Sequence, residues 1–145
     1  MQFKQLIGLA LASVLSFSVQ AENFGHVTVK QVVSIYDGDT FRVDIDGWPD
    51  VIGKRVPIRL NGVDTPEIRG KCEAEKKLAR EAKMFTVEKL RNAKRVELKN
   101  IQRGKYFRIV ADTYVDGASL GELLINKQLA RRYDGKSKRL GWCGR

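Results

Sequence analysis

The chain has 145 residues, which is enough for one domain and too few for several. Its formal net charge of +10 favours anionic partners such as nucleic acid or anionic lipid, although charge alone is equally compatible with simple solubility. Two cysteines and one histidine make a poor zinc site.

Residues 1–21 have the layout of a secretory signal peptide. Lys4 precedes an apolar run from Leu6 to Val19, and Val19 and Ala21 occupy the positions that a cleavage site reserves for small residues. The alternative is an uncleaved anchor, but the run is short and no stop-transfer pattern follows it. We therefore expect an exported protein, periplasmic or secreted, whose folded part is a single domain over residues 22–145.

The first half of that domain is rich in β-forming residues. From His26 to Ile45, valines and isoleucines alternate with polar residues on both sides of Asp37-Gly38, which predicts a hairpin. Glycines and a proline over residues 47–54 predict a loop, and residues 55–63 predict a third strand.

The second half alternates helices with strands. Residues 73–92 lack Gly and Pro, and their apolar side chains recur at helical spacing. Residues 95–100 and 108–117 predict two more strands. A second helix is predicted over residues 119–132, with Ser119 as its N-cap and Glu122 as the capping-box partner, and the glycine-bearing tail should be irregular.

Five short strands with a helix inserted between the third and the fourth suit a small closed barrel. We predict an α+β fold, a five-stranded OB-fold Greek-key β-barrel with two to three helices. Such barrels commonly bind oligonucleotides on one face, but a fold alone does not establish an activity.

The two cysteines, Cys72 and Cys143, predict one disulfide, because an even pair in an exported protein is usually oxidised. Closing so long a loop contributes on the order of 4 kcal/mol in the chain-entropy model. The bridge should tie the C-terminal tail to the body of the domain.

Three segments carry unusual polar chemistry: "DGDT" at residues 37–40, "RLNGVDTPE" at residues 59–67 and "GKYFR" at residues 104–108. Each has an ordinary explanation when taken alone. The first is a common turn, and in the second Thr65 and Pro66 could begin a helix. The arginines of the second and third segments could lie on exposed strand positions.

Taken together, these segments contain every group needed to cleave a phosphodiester. Asp39 and Asp64 offer the carboxylate oxygens that a hard divalent cation prefers. Glu67 is a candidate general base for a water molecule. Arg59 and Arg108 are candidate clamps for phosphate oxygens, because the planar guanidinium matches two of them at once.

The pattern DGDT…R-x4-D-T-P-E…K-Y-x-R resembles the motif set of the staphylococcal nuclease (thermonuclease) family, from about Val27 to Ala130. The resemblance implies an OB-fold barrel and a calcium-dependent nuclease that cuts the P–O5′ bond of DNA and RNA, leaving 3′-phosphate ends. It implies catalytic roles for Arg59, Glu67 and Arg108, and calcium ligation by Asp39, Asp64 and the backbone carbonyl of Thr65.

The resemblance also implies supporting residues. Lys105 and Tyr106 match positions that contact the nucleotide phosphate in relatives, and Tyr133 matches an aromatic residue of the base pocket. Asp37 and Thr40 resemble supports of the metal ligands. The partners implied are DNA and RNA with little sequence specificity, bound to a monomer with no stable membrane association once the signal is removed.

Two departures from the family pattern stand out. Phe107 occupies a position that is glycine in the familiar relative, and a phenylalanine does not adopt a glycine-only backbone freely. The tail with Cys143 is short and differs from the staphylococcal form. The alternatives to a nuclease are a barrel that binds nucleic acid without cutting it, and a cationic surface-binding protein that lacks any catalytic site.

Overall fold

The computed structural model describes residues 22–136 and 141–144. The predicted signal peptide, residues 1–21, lies outside the described residues. Within the described part, no helix is both long enough and apolar enough to cross a bilayer.

Eight strands, three α-helices and one 3₁₀ turn make up the described part of the chain. The strands are β1 (Val27–Ile35), β2 (Thr40–Ile45), β3 (Val56–Leu60), β4 (Val63–Asp64), β5 (Val96–Arg103), β6 (Ile109–Val115), β7 (Ala118–Ser119) and β8 (Arg131–Arg132). The helices are α1 (Asp50–Gly53), α2 (Glu73–Asn92) and α3 (Leu120–Asn126), and the 3₁₀ turn is Lys105–Phe107.

Five of the strands close into a barrel. Strands β1, β2 and β3 form an antiparallel meander, β1 also pairs with β5, and β5 pairs with β6. The parallel pairing of β3 with β6 completes the circle. The predicted five-stranded α+β barrel is therefore confirmed.

Alternation along the strands fills the barrel interior. Phe41, Val43 and Ile45 of β2 point inward and are almost fully buried, as are Ile58 of β3 and Leu98 of β5. Burying one such side chain stabilises the fold by roughly 1.5–3 kcal/mol, so the interior is the main source of stability.

Helix α2 begins and ends where the sequence predicts. Its face with Ala79, Ala82, Thr86 and Leu90 is buried, as the helical period requires. No helix begins at Thr65, which lies in an extended segment, so the alternative of a helix start at "DTPE" is wrong.

Other boundaries differ from the predictions. The loop predicted at residues 47–54 contains the short helix α1, and the strand predicted at 55–63 breaks into β3 and β4. Helix α3 ends at Asn126 rather than continuing to residue 132, because Gln128 adopts a left-handed backbone with φ of 59°. Ser119 caps α3 as predicted, but the Glu122 carboxylate accepts two hydrogen bonds from Arg132, each 2.9 Å long.

Candidate active site

The "DGDT" segment forms the connection between β1 and β2 at one end of the barrel. The Tyr36 backbone N–H donates to the Thr40 carbonyl at 2.9 Å and closes the turn. Thr86 of helix α2, fully buried, donates its hydroxyl to the Gly38 carbonyl at 2.8 Å. This hydrogen bond ties the turn to the helix and fixes the direction in which Asp39 points.

Gly38 is required by space rather than by backbone conformation. A Cβ at this position would lie 2.8 Å from Thr65 Cγ2 and 3.0 Å from the Ala82 Cβ. The turn, the "DTPE" segment and helix α2 therefore meet here without room for another methyl group.

Asp37 and Asp39 are both buried in this turn. Burial, and after it the charge of the neighbouring Asp39 carboxylate, raise the pKa of Asp37 from 3.8 to about 7. The Asp39 backbone N–H donates to Asp37 Oδ1 at 3.4 Å. Asp37 thus contacts the backbone of Asp39.

Arg59 joins the two candidate metal ligands. It lies on β3 opposite Thr40 of β2, and its Nη1 donates to Asp39 Oδ1. Its Nη2 donates to the Val63 carbonyl at 3.3 Å and lies 3.5 Å from Asp64 Oδ1. The two aspartates are only 1% and 5% exposed, and the Arg59 guanidinium offsets part of the charge of both buried carboxylates.

Thr65 connects the same two ligands through the backbone. Its N–H donates to Asp39 Oδ2 at 3.0 Å, and it directly follows Asp64 in the chain. Its buried hydroxyl has no hydrogen-bond partner among the described residues. A buried carboxylate pair beside an unsatisfied hydroxyl is a donor set made only of oxygen, which suits a hard cation such as Ca²⁺.

A cavity of about 680 Å³ opens beside this cluster, and all three predicted catalytic residues line it. Arg59 enters from β3, Glu67 from the segment after β4, and Arg108 from the start of β6. Lys105 and Tyr133 also line the cavity, so two of the three predicted substrate-binding residues lie beside the predicted catalytic residues.

Tyr106 lies outside this cavity. Its side chain is 87% exposed and borders an adjoining groove, and the two depressions share Arg108, Thr40 and Tyr36. The structure therefore brings Tyr106 to the rim of the site and not to its wall.

The turn before Arg108 has an unusual backbone. Tyr106 and Phe107 both adopt left-handed conformations, with φ of 57° and 59°. Phe107 therefore takes a conformation that favours glycine, at a cost of roughly 1–2 kcal/mol. Two backbone hydrogen bonds hold it there, from Gly104 N–H to the Arg108 carbonyl at 2.7 Å and from Arg108 N–H to the Lys105 carbonyl at 3.1 Å.

The predicted disulfide is present between Cys72 and Cys143, with a Cα–Cα distance of 6.0 Å. Both sulfurs lie near the Glu75 carboxylate, but bridged cysteines carry no thiolate, so this cluster is not a metal site.

Trp142 lies at the site although no motif in the sequence includes it. The bridge brings this side chain, 6% exposed, against the active-site cluster, where its Nε1 donates to Asp64 Oδ2 at 3.2 Å. Its position beside Cys143 was the only available signal, because a residue next to a disulfide is carried to wherever the partner cysteine lies.

The sequence was also compared with known proteins. The family model described as Staphylococcal nuclease homologue matches residues 57–140, which is more than half of the chain. The thermonuclease of Staphylococcus hyicus is 33% identical over 102 residues, covering 70% of this chain and 57% of that protein.

Two further relatives are endonucleases by name. Endonuclease YncB of Bacillus subtilis is 35% identical over 98 residues, covering 66% of this chain and 43% of that protein. A probable endonuclease, lcl3, of Aspergillus flavus is 34% identical over 103 residues, covering 59% of this chain and 37% of that protein. The chain thus spans between about a third and three fifths of the length of these relatives. The matched segment carries Arg59, Asp64, Glu67 and Arg108, and the chain belongs to the staphylococcal nuclease family.

Proposed function

We propose that this protein is an exported, calcium-dependent nuclease that hydrolyses phosphodiester bonds of DNA and RNA. One observation carries the proposal: a buried aspartate pair, bridged by Arg59, adjoins a cavity that Glu67 and Arg108 also line. The names of the relatives support the same class of reaction.

Asp39, Asp64 and the Thr65 carbonyl are the residues that would hold Ca²⁺. When bound, the ion supplies positive charge for a phosphate oxygen and lowers the barrier to attack on phosphorus. The arrangement of donors supports a single site, because both carboxylates contact one guanidinium.

Glu67 has the position and the chemistry of a general base. It is exposed at the cavity wall, where its carboxylate can accept a proton from a water molecule. That water attacks phosphorus in line, the P–O5′ bond breaks, and the 5′-oxygen leaves as an alcohol after taking a proton from solvent. The phosphate stays on the 3′ end.

Arg59 of β3 and Arg108, the residue before β6, both line the cavity, which suits the stabilisation of charge on the phosphate oxygens. Lys105 and Tyr133 add a cation and an aromatic ring at the wall, suited to a second phosphate and a base. Such contacts position the backbone of a nucleic acid without reading its sequence, so we expect little sequence specificity.

The test is digestion of plasmid DNA and of RNA in a calcium titration, followed by end-group analysis of the fragments. We expect cleavage that requires calcium and leaves 3′-phosphate ends. Cleavage that survives a chelator would remove the metal from the proposal, and fragments with 3′-hydroxyl ends would overturn the bond assignment.

Glu67→Gln isolates the general base. Turnover should fall by roughly 10²–10⁴-fold while single-stranded DNA still binds in calcium. Glu88→Gln is the matched control, because Glu88 is exposed on α2 beside Lys89 and does not line the cavity. Full activity of Glu67→Gln would exclude this residue from proton transfer.

Export is tested separately. When the whole chain is expressed in a bacterial host, we expect N-terminal sequencing of the product to begin at Glu22, with the protein in the periplasm or the medium. Retention of Met1 would contradict cleavage.

Light scattering should give the mass of a monomer.

A further inference from the structure

The C-terminal segment 141–144, called the strap below, is fastened beside the active-site cluster. Cys143 of the strap is bridged to Cys72, the N-cap residue of helix α2, across 71 positions of sequence. The neighbouring Trp142 is thereby inserted into the body of the domain and is almost completely buried.

Trp142 orients one oxygen of Asp64. Its Nε1 donates to Asp64 Oδ2 at 3.2 Å, while the other carboxylate oxygen, Oδ1, lies 3.5 Å from Arg59 Nη2. Asp64 thus has a different donor on each oxygen, and the plane of its carboxylate is fixed by both.

Arg131 packs against the Trp142 ring. Its guanidinium carbon lies 3.6 Å from the centroid of the indole ring, and its Nη2 donates to the Gly141 carbonyl of the strap at 2.9 Å. Arg131 is also the residue that pairs with Asp64 between β8 and β4. The strap, the indole ring and the carboxylate therefore form one connected unit.

The disulfide also contacts the segment that carries Glu67. The Cys143 sulfur lies 3.6 Å from Glu75 Oε2, and the other oxygen of that buried carboxylate accepts the Glu67 backbone N–H at 3.4 Å. The Lys71 N–H donates to Glu75 Oε2 at 3.0 Å, which anchors the loop between Glu67 and Cys72. Loss of the bridge would loosen this loop together with the strap.

We propose that Trp142 is a positioning residue for Asp64 and that the Cys72–Cys143 disulfide, by seating Trp142, sets the affinity of the site for Ca²⁺. The inference rests on the proposed function only in taking Asp64 as a metal ligand. Partners that orient a ligating carboxylate typically change metal affinity by about 10- to 100-fold. Reduction leaves the strap attached only by noncovalent contacts, and Asp64 then loses a donor whenever the strap dissociates.

This arrangement makes calcium affinity dependent on oxidation. A chain with free thiols would bind the ion weakly, and the same chain would gain affinity once the bridge forms. Disulfides form in exported compartments and seldom in the cytosol, so the nuclease would become competent where its own genome is absent.

Three forms of the protein test the proposal: the wild type, Trp142→Phe, and the double variant Cys72→Ser/Cys143→Ser. Phenylalanine keeps an aromatic ring for Arg131 but removes the N–H that reaches Asp64. Calorimetry measures calcium binding by each form, once with the protein oxidised and once with it reduced. Thermal unfolding without calcium confirms that each form is folded. Trp48→Phe is the matched control, because Trp48 borders a different groove.

We expect Trp142→Phe to weaken calcium binding about 10-fold. Reduction should weaken calcium binding by the wild type by a similar factor, and reoxidation should restore it. Reduction should not affect the double serine variant, whose calcium affinity is already low. Reduction of Trp142→Phe should add little further, because both changes act through one hydrogen bond.

Intrinsic fluorescence supplies a second readout. The chain has two tryptophans, so in the Trp48→Phe background Trp142 alone emits, and reduction should shift its emission to longer wavelength as the ring becomes exposed. Calcium binding by Trp142→Phe equal to that of the wild type, or wild-type affinity unchanged by reduction, would overturn this inference and leave the nuclease proposal standing. A wild type that binds no calcium would overturn both.

Discussion

The contact between Arg59 and the two aspartates leads to a prediction about stability. The side chains of Asp39, Asp64 and Arg59 are 1%, 7% and 20% exposed, so the carboxylates depend on the guanidinium for charge compensation. Removing one partner of a buried ion pair typically costs about 3–5 kcal/mol. Because Arg59 keeps some contact with solvent, we expect Arg59→Met to lower the free energy of unfolding by about 3 kcal/mol without metal.

Calcium should reverse much of that loss. In the wild type, the ion and the Arg59 guanidinium compete for the same pair of carboxylates, and Arg59→Met removes that competition. The variant should therefore bind calcium more tightly than the wild type in the absence of substrate. If calcium recovers about 1.4 kcal/mol of the deficit, the dissociation constants differ by about tenfold.

Urea unfolding with a chelator and with saturating calcium measures both effects. Arg108→Met is the matched control, because Arg108 lines the same cavity and its hydrogen bonds among the described residues are made by its backbone. That variant should lose less than about 1 kcal/mol. An equal loss for Arg59→Met with and without calcium would refute the charge-compensation argument, since packing alone would then explain the effect.

Three further predictions follow from other parts of the site. Gly38→Ala should lower the unfolding free energy by about 1–3 kcal/mol and weaken calcium binding, because the added Cβ has no space. Gly141→Ala should change both quantities little, because no atom lies within 4 Å of its added Cβ. Equal effects of the two substitutions would disprove the steric argument. Phe107→Gly should raise the unfolding free energy by roughly 0.5–1 kcal/mol, because glycine relieves the strain of the left-handed backbone and the lost side chain is 85% exposed. A loss of stability in chemical denaturation would contradict this. The pKa of Asp37 in the folded state is about 7, above its ordinary value of 3.8, so the metal-free protein should lose stability as pH rises from about 4 to 7, by up to about 1.4 kcal/mol per pH unit. Asp37→Asn should flatten that dependence in unfolding curves recorded across this range, and an unchanged slope would show that another group titrates.

Local patterns predicted which polar segments meet in space better than they predicted where each element begins and ends. The turn at Asp37-Gly38 follows from its composition, and the placement of Asp39 and Asp64 at neighbouring strand ends follows from the hairpin connectivity. Helix α3 illustrates the opposite case. Residues 127–132 have a helical composition, but Arg131 and Arg132 pair with β4 instead, so tertiary contacts outweigh the local preference.

The contacts of Arg59 and Trp142 could not be predicted from local sequence. Arg59 was predicted to contact phosphate, and in the structure its guanidinium contacts both carboxylates, because a buried pair of negative charges requires a nearby cation. The position of Trp142 depends on a bridge across 71 residues, and no periodicity in the sequence encodes where such a bridge places its neighbours.

The parallel pairing of β3 with β6 has a consequence for the order in which the protein assembles. Asp39, Arg59 and Asp64 all belong to the early meander and its continuation, whereas Arg108 joins them only when β6 docks against β3. Contacts between segments near in sequence form with less loss of chain entropy than contacts across fifty residues. We expect the two carboxylates to come together early in folding and the Arg108 guanidinium to join them last. The proposed ion site would then form before the complete set of residues proposed for phosphodiester cleavage.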